Sequence, residues 1–381
     1  MPESCRLAIL TTGRQDYGIL RSTIPLLRRT PGFDVLLWAG GMHLDARFGE
    51  PLAVLAEDRA TPDRVLSFLS DPSDPADDAA GAIREVGIAM KEDSPDALIL
   101  LGDRSETLAA AVAATVQRTP IVHLHGGEES EGSIDNACRH AVTKLSHLHL
   151  VSHPVHAKRV VRMGEDPATV VVVGAPGLDN AYRDDLPGRE ELEASLCKRL
   201  EPPVVLVTLH PATLGGAPDA EVTAIAAAMD RVPATYVITC PNSDQGGAVI
   251  REYWSTWSVS KANVALSDSL GDRRYWALLR MASAVLGNSS SGIIEAPALG
   301  VPVVNVGDRQ RGRLRYGPVT DVPAETGAIV AALCSAMSSS RSRIGDLEQA
   351  YPPGPAAPRI VEALRCWKIP RPPRKSFWDS L

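Results

Sequence analysis

The sequence has few of the features that mark disulfide-rich, membrane-spanning or nucleic-acid-binding proteins. Its six cysteines are scattered over 381 residues without a C-x-x-C pair, which supports neither a disulfide framework nor a zinc site. No window approaches the roughly 18 consecutive apolar residues of a membrane span. The net charge of −7 argues against a nucleic-acid surface. We therefore predict a protein of the reducing cytoplasm, with neither a membrane nor a nucleic acid as partner.

Motifs for the common cofactors are missing as well. The chain contains no G-x-x-x-x-G-K-[ST], and the turn at Gly13 and Arg14 lacks the rest of a dinucleotide fingerprint, so a P-loop ATPase or an NAD enzyme is not expected. His123 and His125 alternate along one strand and share a face, as metal ligands can, but no further ligands follow at a suitable spacing. We predict no cofactor and no metal ion.

Short apolar runs alternate with amphipathic segments along almost the whole chain. Hydrophobic residues make up 44% of it and charged residues 22%, as in a globular protein. Runs such as DVLLWAGG, ALILLGD and TVVVVGAP predict buried strands, because they are brief, rich in Val, Ile and Leu, and end in Gly or polar residues. Segments such as SETLAAAVAATVQ predict helices between them, which gives parallel sheets covered by helices.

A polar stretch, LDNAYRDDLPGREEL, separates two such series. The length suits two domains of about 150–200 residues each. We predict an α/β fold of two Rossmann-like domains facing across a cleft, formed by residues 1–178 and 179–360, with a tail at 361–381 that packs back on the first domain. Ligands of parallel sheets lie beyond the carboxyl ends of the strands, so polar residues that follow the strands of both domains are expected to line this cleft.

The segment GNSSSGIIEAPALG carries the clearest ligand-binding pattern. A strand is expected to end at Asn288, and small residues then open a helix, whose N–H groups and hydroxyls suit a phosphate or diphosphate. Glu295 lies one turn later and could accept hydrogen bonds from a ribose diol. The alternative is a serine N-cap on an ordinary amphipathic helix. Downstream, Arg309 in GDRQRGR could pair with a phosphate or belong to a solvated basic face.

The segment IVHLHGGEESEGSIDNACRH gathers titratable groups around a glycine turn. A carboxylate at a strand end can be tuned by burial and neighbouring charge, so the candidate acid/base groups are Asp103, Glu128, Glu131 and Asp135. Ordinary roles are open too, since Asp103 could cap a helix and Asp135 could stabilise a helix N-terminus. From spacing alone, the chain is a two-domain enzyme for a phosphorylated or nucleotide-linked ligand.

The motifs, taken in order, resemble those of the hydrolysing UDP-N-acetylglucosamine 2-epimerases of sialic and legionaminic acid biosynthesis. The matching pieces include TTGRQDYGIL, LGDRSETL, HLHGGEESEGSIDNACRHAVTKLSHLHLVS, VTLHPAT, NSDQGG, GNSSSGIIEAPALGVPVVNVGDRQRGR and the terminal RKSFWD, and they span nearly the whole chain. The resemblance implies a glycosyltransferase-B-like fold, with acid/base residues in the first domain and a nucleotide held mainly by the second. Homodimers are typical of similar proteins.

The resemblance also implies roles for individual residues. The nucleotide diphosphate would be contacted by Arg14, Arg104, His210, Ser289, Ser290, Glu295 and Arg309, and Asn242, which follows a strand of the second domain, is a further candidate. The acid/base residues of the first domain would be Asp103, His125, Glu128, Glu131 and Asp135. The first base is left open among His125, Glu128 and Asp103, because relatives can carry a carboxylate where this chain has His125.

The implied reaction is the hydrolytic 2-epimerisation of an N-acetylglucosamine-type sugar linked to UDP or GDP. The diphosphate leaves, a glycal forms by loss of the C2 proton, and water then adds at C1 to give the free manno sugar. The alternatives are a non-hydrolysing epimerase, a glycosyltransferase of the same fold and a nucleotide-sugar binding protein. The HGGE stretch favours hydrolysis, because it resembles that branch. Departures such as Gln15 and Ala248 leave the nucleotide and the sugar substituents at C4 and C6 open.

Overall fold

The computed structural model describes residues 4–45, 52, 55, 56, 58, 60–70, 74–131, 133–212, 218–241, 246–339, 351, 352 and 354–379. Contacts within the chain divide it into two compact units. Unit 1 comprises Met1–Glu128, Asp135–Tyr182 and Tyr351–Leu381. Unit 2 comprises Glu129–Ile134 and Arg183–Ala350.

Unit 1 is built on a parallel sheet covered by helices. Its strands are β1 (Cys5–Thr11), β2 (Phe33–Gly40), β3 (Arg64–Leu66), β4 (Ala97–Leu101), β5 (Ile121–Leu124), β6 (Leu148–Val151) and β7 (Val170–Val172). Its helices are α1 (Arg14–Leu20), α2 (Thr23–Arg29), α3 (Pro75–Asp93), α4 (Ser105–Val116), α5 (Asp135–Leu145) and α6 (Pro154–Arg162). Within the described residues the seven strands lie in the order β3-β2-β1-β4-β5-β6-β7, and every pair in it is parallel.

The alternation of side chains along β1 shows why this sheet is covered on both faces. Leu7 and Ile9 belong to one buried apolar cluster, while Ala8 and Leu10 belong to another. Successive side chains of a strand point to opposite faces, so both faces of the sheet are buried. The five residues of β4 are all buried for the same reason. The continuous apolar runs in the sequence follow directly from this burial.

Unit 2 repeats the architecture with its own sheet. Its strands are β8 (Val204–Thr208), β9 (Thr235–Thr239), β10 (Val264–Ser267), β11 (Ala284–Gly287), β12 (Val303–Val306) and β13 (Val319–Val322). Its helices are α7 (Arg189–Leu196), α8 (Pro218–Met229), α9 (Gly247–Ser258), α10 (Gly271–Met281), α11 (Glu295–Ala298) and α12 (Thr326–Ser338), with a 3-10 turn at Ser290–Gly292. Among the described residues the six strands run β10-β9-β8-β11-β12-β13, again parallel.

The C-terminal boundary differs from the sequence-based division, which placed residues 351–360 in the second domain. The structure groups Tyr351–Leu381 with unit 1, where the helix α13 (Ala357–Cys366) packs against α2. The buried Asp179 carboxylate accepts hydrogen bonds from the backbone N–H groups of Ala356 and Ala357, at 2.6 and 2.9 Å. A carboxylate at the N-terminal end of a helix satisfies N–H groups that have no partner within the helix, and this capping ties α13 to unit 1.

A short segment within the acidic stretch also changes unit. Residues 129–134 are grouped with unit 2, although the sequence-based division kept them in the first domain. The backbone N–H of Glu131 donates to the carbonyl oxygen of Arg311 at 2.9 Å, and the two side chains form an ion pair at 3.2 Å. Main-chain pairing with the loop after β12 therefore takes this segment out of unit 1.

Helix length and polarity also show whether any helix could span a membrane. Across the ranges given above, no helix is long and apolar enough to cross a membrane.

Candidate active site

His125 stands at the carboxyl end of β5 in an unusual backbone conformation. Its φ is +63°, in the left-handed region that only a few per cent of non-glycine residues adopt. Its Nδ1 lies 2.6 Å from the Oε1 atom of Glu128, and its Nε2 is buried without a hydrogen-bond partner among the described residues. Non-glycine residues held in sparsely populated conformations cluster at functional sites, where the surrounding structure fixes them. The geometry leaves one ring nitrogen oriented by a carboxylate and the other free to exchange a proton.

Asp103 and Glu128 are joined by an arginine that the sequence analysis did not single out. Arg139, from α5, is 1% exposed and forms an ion pair with the Asp103 carboxylate. The same guanidinium donates to the carbonyl oxygen of Glu128 at 3.1 Å. A guanidinium stays positively charged and presents several donors in a fixed plane, so it pairs with the Asp103 carboxylate and fixes the turn that carries Glu128.

The remaining predicted carboxylates are placed differently. Asp135 is the first residue of α5 and is half-buried, at the end of the helix where a negative charge is favoured. Glu131 is exposed and pairs with Arg311 in unit 2. Unit 1 thus brings together Asp103, His125 and Glu128, with Asp135 on the helix that supplies Arg139, whereas Glu131 is grouped elsewhere.

His123 is a structural histidine. It is fully buried, its Nε2 donates to the carbonyl oxygen of Gly102 at 2.8 Å, and its Nδ1 accepts from the Thr143 hydroxyl at 3.2 Å. Burial lowers the pKa of His123 to about 3, so the ring is neutral near pH 7. Both nitrogens are used to connect the strand ends of β4 and β5 with α5. Within the described residues no group of His, Cys, Asp or Glu side chains could hold a metal ion.

Two arginines predicted to contact the nucleotide lie at helix starts of unit 1. Arg14 is the first residue of α1 and is half-buried. Arg104 precedes α4 and donates to Glu106 at 3.2 Å. Burial opposes ionisation of Glu106, but the charge of Arg104 and hydrogen bonds from Arg104 and Ser105 leave the pKa of Glu106 below its ordinary value. Arg104 is thus held close to a buried negative charge at the carboxyl end of β4.

In unit 2, Asn288 makes several of the hydrogen bonds that hold the predicted phosphate loop, residues 287–292. The side chain is fully buried; its Oδ1 accepts from the His210 N–H at 2.8 Å, and its Nδ2 donates to the His210 carbonyl at 2.8 Å. Its own carbonyl oxygen accepts from Arg309 at 3.1 Å and from Gln310 at 2.9 Å. The side-chain amide and the backbone carbonyl of this one residue therefore connect the loops that follow β8, β11 and β12.

The serines that follow Asn288 form a turn and not the start of a long helix. Ser289 caps the 3-10 turn by accepting from the Ser291 N–H at 3.3 Å, and α11 spans only Glu295–Ala298. Pro297 has no N–H and therefore interrupts regular helical hydrogen bonding. The helix predicted to open at these small residues is therefore only a 3-10 turn followed by the four residues of α11. A bound phosphate would be recognised here by hydroxyls, loop N–H groups and Arg309, and little by a helix dipole.

The surroundings of this loop contain polar residues that the sequence did not mark. Tyr275, from α10, donates its hydroxyl to Ser291 at 2.6 Å. Glu221, from α8, is buried, which raises its pKa, while the charge of Arg309 acts in the opposite direction. Both lie within helical patterns whose sequence gives no sign of their polar contacts. Asn242, the remaining predicted nucleotide residue, lies outside the described residues.

Comparison with solved structures defines the fold. The UDP-GlcNAc 2-epimerase from Neisseria meningitidis bound to UDP-GlcNAc matches with a TM-score of 0.79 at 17% identity, covering 94% of this chain and 99% of that one. The Methanocaldococcus jannaschii UDP-GlcNAc 2-epimerase in complex with UDP-GlcNAc and UDP matches with a TM-score of 0.79 at 15% identity, over 94% and 99%. The fold is α/β, with two Rossmann-like domains of the glycosyltransferase-B-like class, as predicted.

Sequence comparison then gives the family. The family model described as UDP-N-acetylglucosamine 2-epimerase matches residues 26–365, and the chain belongs to this family. The UDP-N,N'-diacetylbacillosamine 2-epimerase (hydrolyzing) of Legionella pneumophila is 34% identical over 94% of this chain and 96% of the relative. The GDP/UDP-N,N'-diacetylbacillosamine 2-epimerase (hydrolyzing) of Campylobacter jejuni is 29% identical over 91% and 86%. The chain is an enzyme of the hydrolysing 2-epimerase type, which confirms the sequence-based prediction.

Proposed function

We propose that this enzyme converts a UDP- or GDP-linked 2-acetamido sugar of the gluco series into the free manno sugar and the nucleoside diphosphate, for nonulosonic acid synthesis. Support for the sugar class comes from the relatives named for N,N'-diacetylbacillosamine and from the Polysialic acid biosynthesis protein P7 of Escherichia coli, 32% identical over 85% of this chain and 84% of the relative. A 2,4-diacetamido-6-deoxy sugar is therefore tested beside N-acetylglucosamine.

The observation that carries the mechanism is the left-handed His125 with its Nδ1 on Glu128 and its Nε2 open. An ionised Glu128 accepts the Nδ1 hydrogen, which leaves a lone pair on Nε2 and makes that nitrogen the base. The base removes the C2 proton as the C1–O bond breaks and its electron pair leaves with the diphosphate. The product of this step is a glycal with a C1=C2 double bond.

The second step restores the sugar with the opposite configuration at C2. Water forms a bond to C1 and gives up a proton, while C2 receives a proton from the face opposite to the base. Asp135 and Asp103 are the carboxyl groups assigned to this step. Asp103, paired with the guanidinium of Arg139, is assigned to accept the proton from water, and Asp135, at the start of α5, is assigned to protonate C2.

The diphosphate is assigned to the loops that Asn288 connects in unit 2. Ser289 and Ser290 supply hydroxyls, and Arg309 supplies a fixed positive charge that stabilises the leaving group as its charge develops. His210 follows β8 in the same set of loops. Glu295 is assigned to the ribose hydroxyls, and Arg14 and Arg104 of unit 1 to the phosphate oxygens.

The deciding experiment is incubation in D2O with UDP-GlcNAc, GDP-GlcNAc and the matching 2,4-diacetamido-6-deoxy sugars, followed by proton and phosphorus NMR. The expected result is free nucleoside diphosphate with a manno sugar that carries deuterium at C2. A deuterated nucleotide sugar without diphosphate release would identify a non-hydrolysing epimerase. Release without deuterium at C2 would contradict the glycal route. Binding without any reaction across the panel would indicate a nucleotide-sugar binding protein.

The base assignment is tested with His125→Asn, because asparagine tolerates the left-handed backbone but cannot take the proton. The expected result is loss of turnover and of C2 deuterium, with UDP affinity unchanged. Arg118→Asn is the matched control, since Arg118 has a φ of +60° and is exposed outside the site. Turnover that survives His125→Asn would move the base to Glu128 or Asp103.

The assembly is also a proposal. We assign a homodimer located in the cytoplasm, on the behaviour of similar proteins and the scattered cysteines. Light scattering during size-exclusion chromatography measures the mass directly, and a value of one 40.6 kDa chain would overturn the dimer.

A further inference from the structure

We propose that Ser152 and His156 are positioning residues that hold Glu128 and, through it, orient His125 for proton transfer. This inference rests on the proposed function, since it assigns a purpose to groups behind the proposed base. Ser152 directly follows β6, and His156 lies in the first turn of α6. Ser152 is the last residue of the quoted stretch HLHGGEESEGSIDNACRHAVTKLSHLHLVS, but no role was assigned to it, and His156 lies outside the quoted motifs.

A continuous chain of hydrogen bonds joins the four side chains. The Ser152 hydroxyl donates to Glu128 Oε1 at 2.8 Å, the same oxygen that lies 2.6 Å from His125 Nδ1. His156 Nδ1 lies 2.9 Å from the Ser152 oxygen. Ser152, Glu128 and His156 are 1%, 5% and 5% exposed, so water does not compete for these contacts. Buried polar networks of this kind are rigid when every member is satisfied.

The number of hydrogens fixes the direction of every bond in the chain. A serine hydroxyl has one hydrogen, and Ser152 gives it to the carboxylate. Its oxygen must therefore accept from His156, whose Nδ1 carries the hydrogen. Glu128 then receives two donors on one oxygen, which favours its ionised form. An ionised Glu128 in turn requires the hydrogen of His125 to be on Nδ1, so the free lone pair is on Nε2.

The charge state of His156 is set by its surroundings. Burial lowers the pKa of His156 to about 4; Glu128 acts to raise it, and Arg159, His153 and His125 act to lower it further. His156 is therefore neutral near pH 7. The chain of hydrogen bonds from His156 through Ser152 and Glu128 to His125 (the relay) thus places no positive charge behind Glu128. A positive charge there would weaken the carboxylate's hold on the His125 hydrogen, so a neutral donor suits an orienting role.

The glycine turn between the histidine and the glutamate fixes the distance to α6. Gly127 has a φ of +76°, and a Cβ atom there would lie 2.6 Å from the carbonyl oxygen of His156. The backbone of the HGGE turn is thus in direct contact with the first turn of α6. Arg159, one turn later, donates to the carbonyl oxygen of Gly127. The relay is consequently held by main-chain packing as well as by its own hydrogen bonds.

The kinetic test compares Ser152→Ala, Ser152→Thr and His156→Phe in the full-length enzyme with the sugar that the D2O experiment selects. Ser152→Ala is expected to lower kcat about 10- to 100-fold, as expected for the loss of one hydrogen bond to a charged group, with little change in KM. The acidic limb of the kcat profile should move to higher pH, because Glu128 loses a donor to its ionised form. Ser152→Thr keeps the hydroxyl and should recover most of kcat.

The matched control is Ser146→Ala, a fully buried serine of the same unit whose hydroxyl donates to the backbone carbonyl of Val142. It is expected to leave the kcat profile unshifted. The proposal is overturned if Ser152→Ala retains kcat within twofold with a superimposable pH profile. It is equally overturned if Ser146→Ala shifts the profile as far, since the effect would then be a general consequence of packing.

A second measurement does not depend on turnover. Nitrogen-15 NMR of the histidine rings, in the protein without substrate, should show His125 as the Nδ1–H tautomer with an unprotonated Nε2 near pH 7. Ser152→Ala should shift this balance towards Nε2–H. Wild-type His125 found mainly as Nε2–H would overturn the relay even in an active enzyme. The expected tautomer in an enzyme that turns over no sugar would leave the relay standing and contradict the proposed function alone.

Discussion

The guanidinium of Arg139 joins the Asp103 carboxylate to the backbone carbonyl of Glu128 in the interior of unit 1. Asp103 follows β4 and Glu128 follows β5, so one residue of α5 holds the ends of two neighbouring strands in register. Two candidate reacting groups thus share a single buried support. Removing that support should affect both stability and chemistry.

Arg139→Met is expected to lower the free energy of unfolding by about 3 kcal/mol, because it leaves the largely buried Asp103 without its counter-charge. The measurement is urea denaturation followed by circular dichroism. Arg365→Met is the control, since its ion pair with Glu362 is exposed on both sides and should change stability by less than about 1 kcal/mol. Equal urea midpoints for the two variants would show that the buried pair adds nothing.

Gly287→Ala should disrupt the phosphate loop of unit 2. A Cβ atom at position 287 would lie 2.0 Å from the carbonyl oxygen of Thr208, and the φ of +135° is unfavourable for any other residue. We expect loss of UDP binding by isothermal titration calorimetry and a destabilisation of several kcal/mol, on the order of 3. Gly327→Ala in α12, where nothing lies within 4 Å, should bind UDP normally and gain about 0.5–1 kcal/mol. UDP affinity unchanged in Gly287→Ala would mean that the loop can move to accept a side chain.

His123 should make the stability of unit 1 depend on pH. Burial lowers its pKa to about 3, so the unfolded chain takes up this proton first as the pH falls. The stability it contributes is therefore complete above about pH 6.5 and is lost as the pH falls towards about 3. Between pH 7 and pH 5 the loss from this residue amounts to about 2 kcal/mol. In urea titrations at the two pH values, His123→Asn should lose about that much less than the wild type, and parallel losses would refute the assignment.

The C-terminal tail should contribute to the stability of unit 1 through one lysine. Lys375 donates to the buried Glu165 carboxylate and to the carbonyl oxygen of Ser146, next to the end of α5. Burial lowers the pKa of Lys375, and its bonds with Glu165 act against that change. Lys375→Met is expected to cost about 1–3 kcal/mol, the range for hydrogen bonds to charged groups.

Lys368→Met is the control for the tail, because no hydrogen bond or ion pair of Lys368 is seen in the described structure. Differential scanning calorimetry compares the two variants with the wild type. A melting temperature for Lys375→Met equal to that of Lys368→Met would show that the tail adds nothing to unit 1 through its ammonium group.

Much of the fold could be predicted because buried strands and helices have recognisable patterns of apolar residues in the sequence. A strand covered on both faces must be apolar at every position. The run ALILL therefore predicts strand β4 without any information on the strands beside it in the sheet. The helix predicted to open after Asn288 is shorter in the structure, because the serines form a 3-10 turn and Pro297 interrupts helical hydrogen bonding, so that α11 has only four residues.

The sequence by itself determined the strand and helix alternation and the family, and it named most of the candidate site residues as predictions, because these depend on local composition and on ordered motifs. Only the tertiary structure decided that Arg139, Ser152 and His156 gather around Glu128. Arg139 and His156 lie in helices and Ser152 lies at a strand end, and no spacing in the sequence indicates which partner each one has. Arg139 and Ser152 lie 11 and 24 residues from Glu128 along the chain, and α5 and the pairing of β5 with β6 bring them to it, while His156 contacts Ser152 locally, four residues further on.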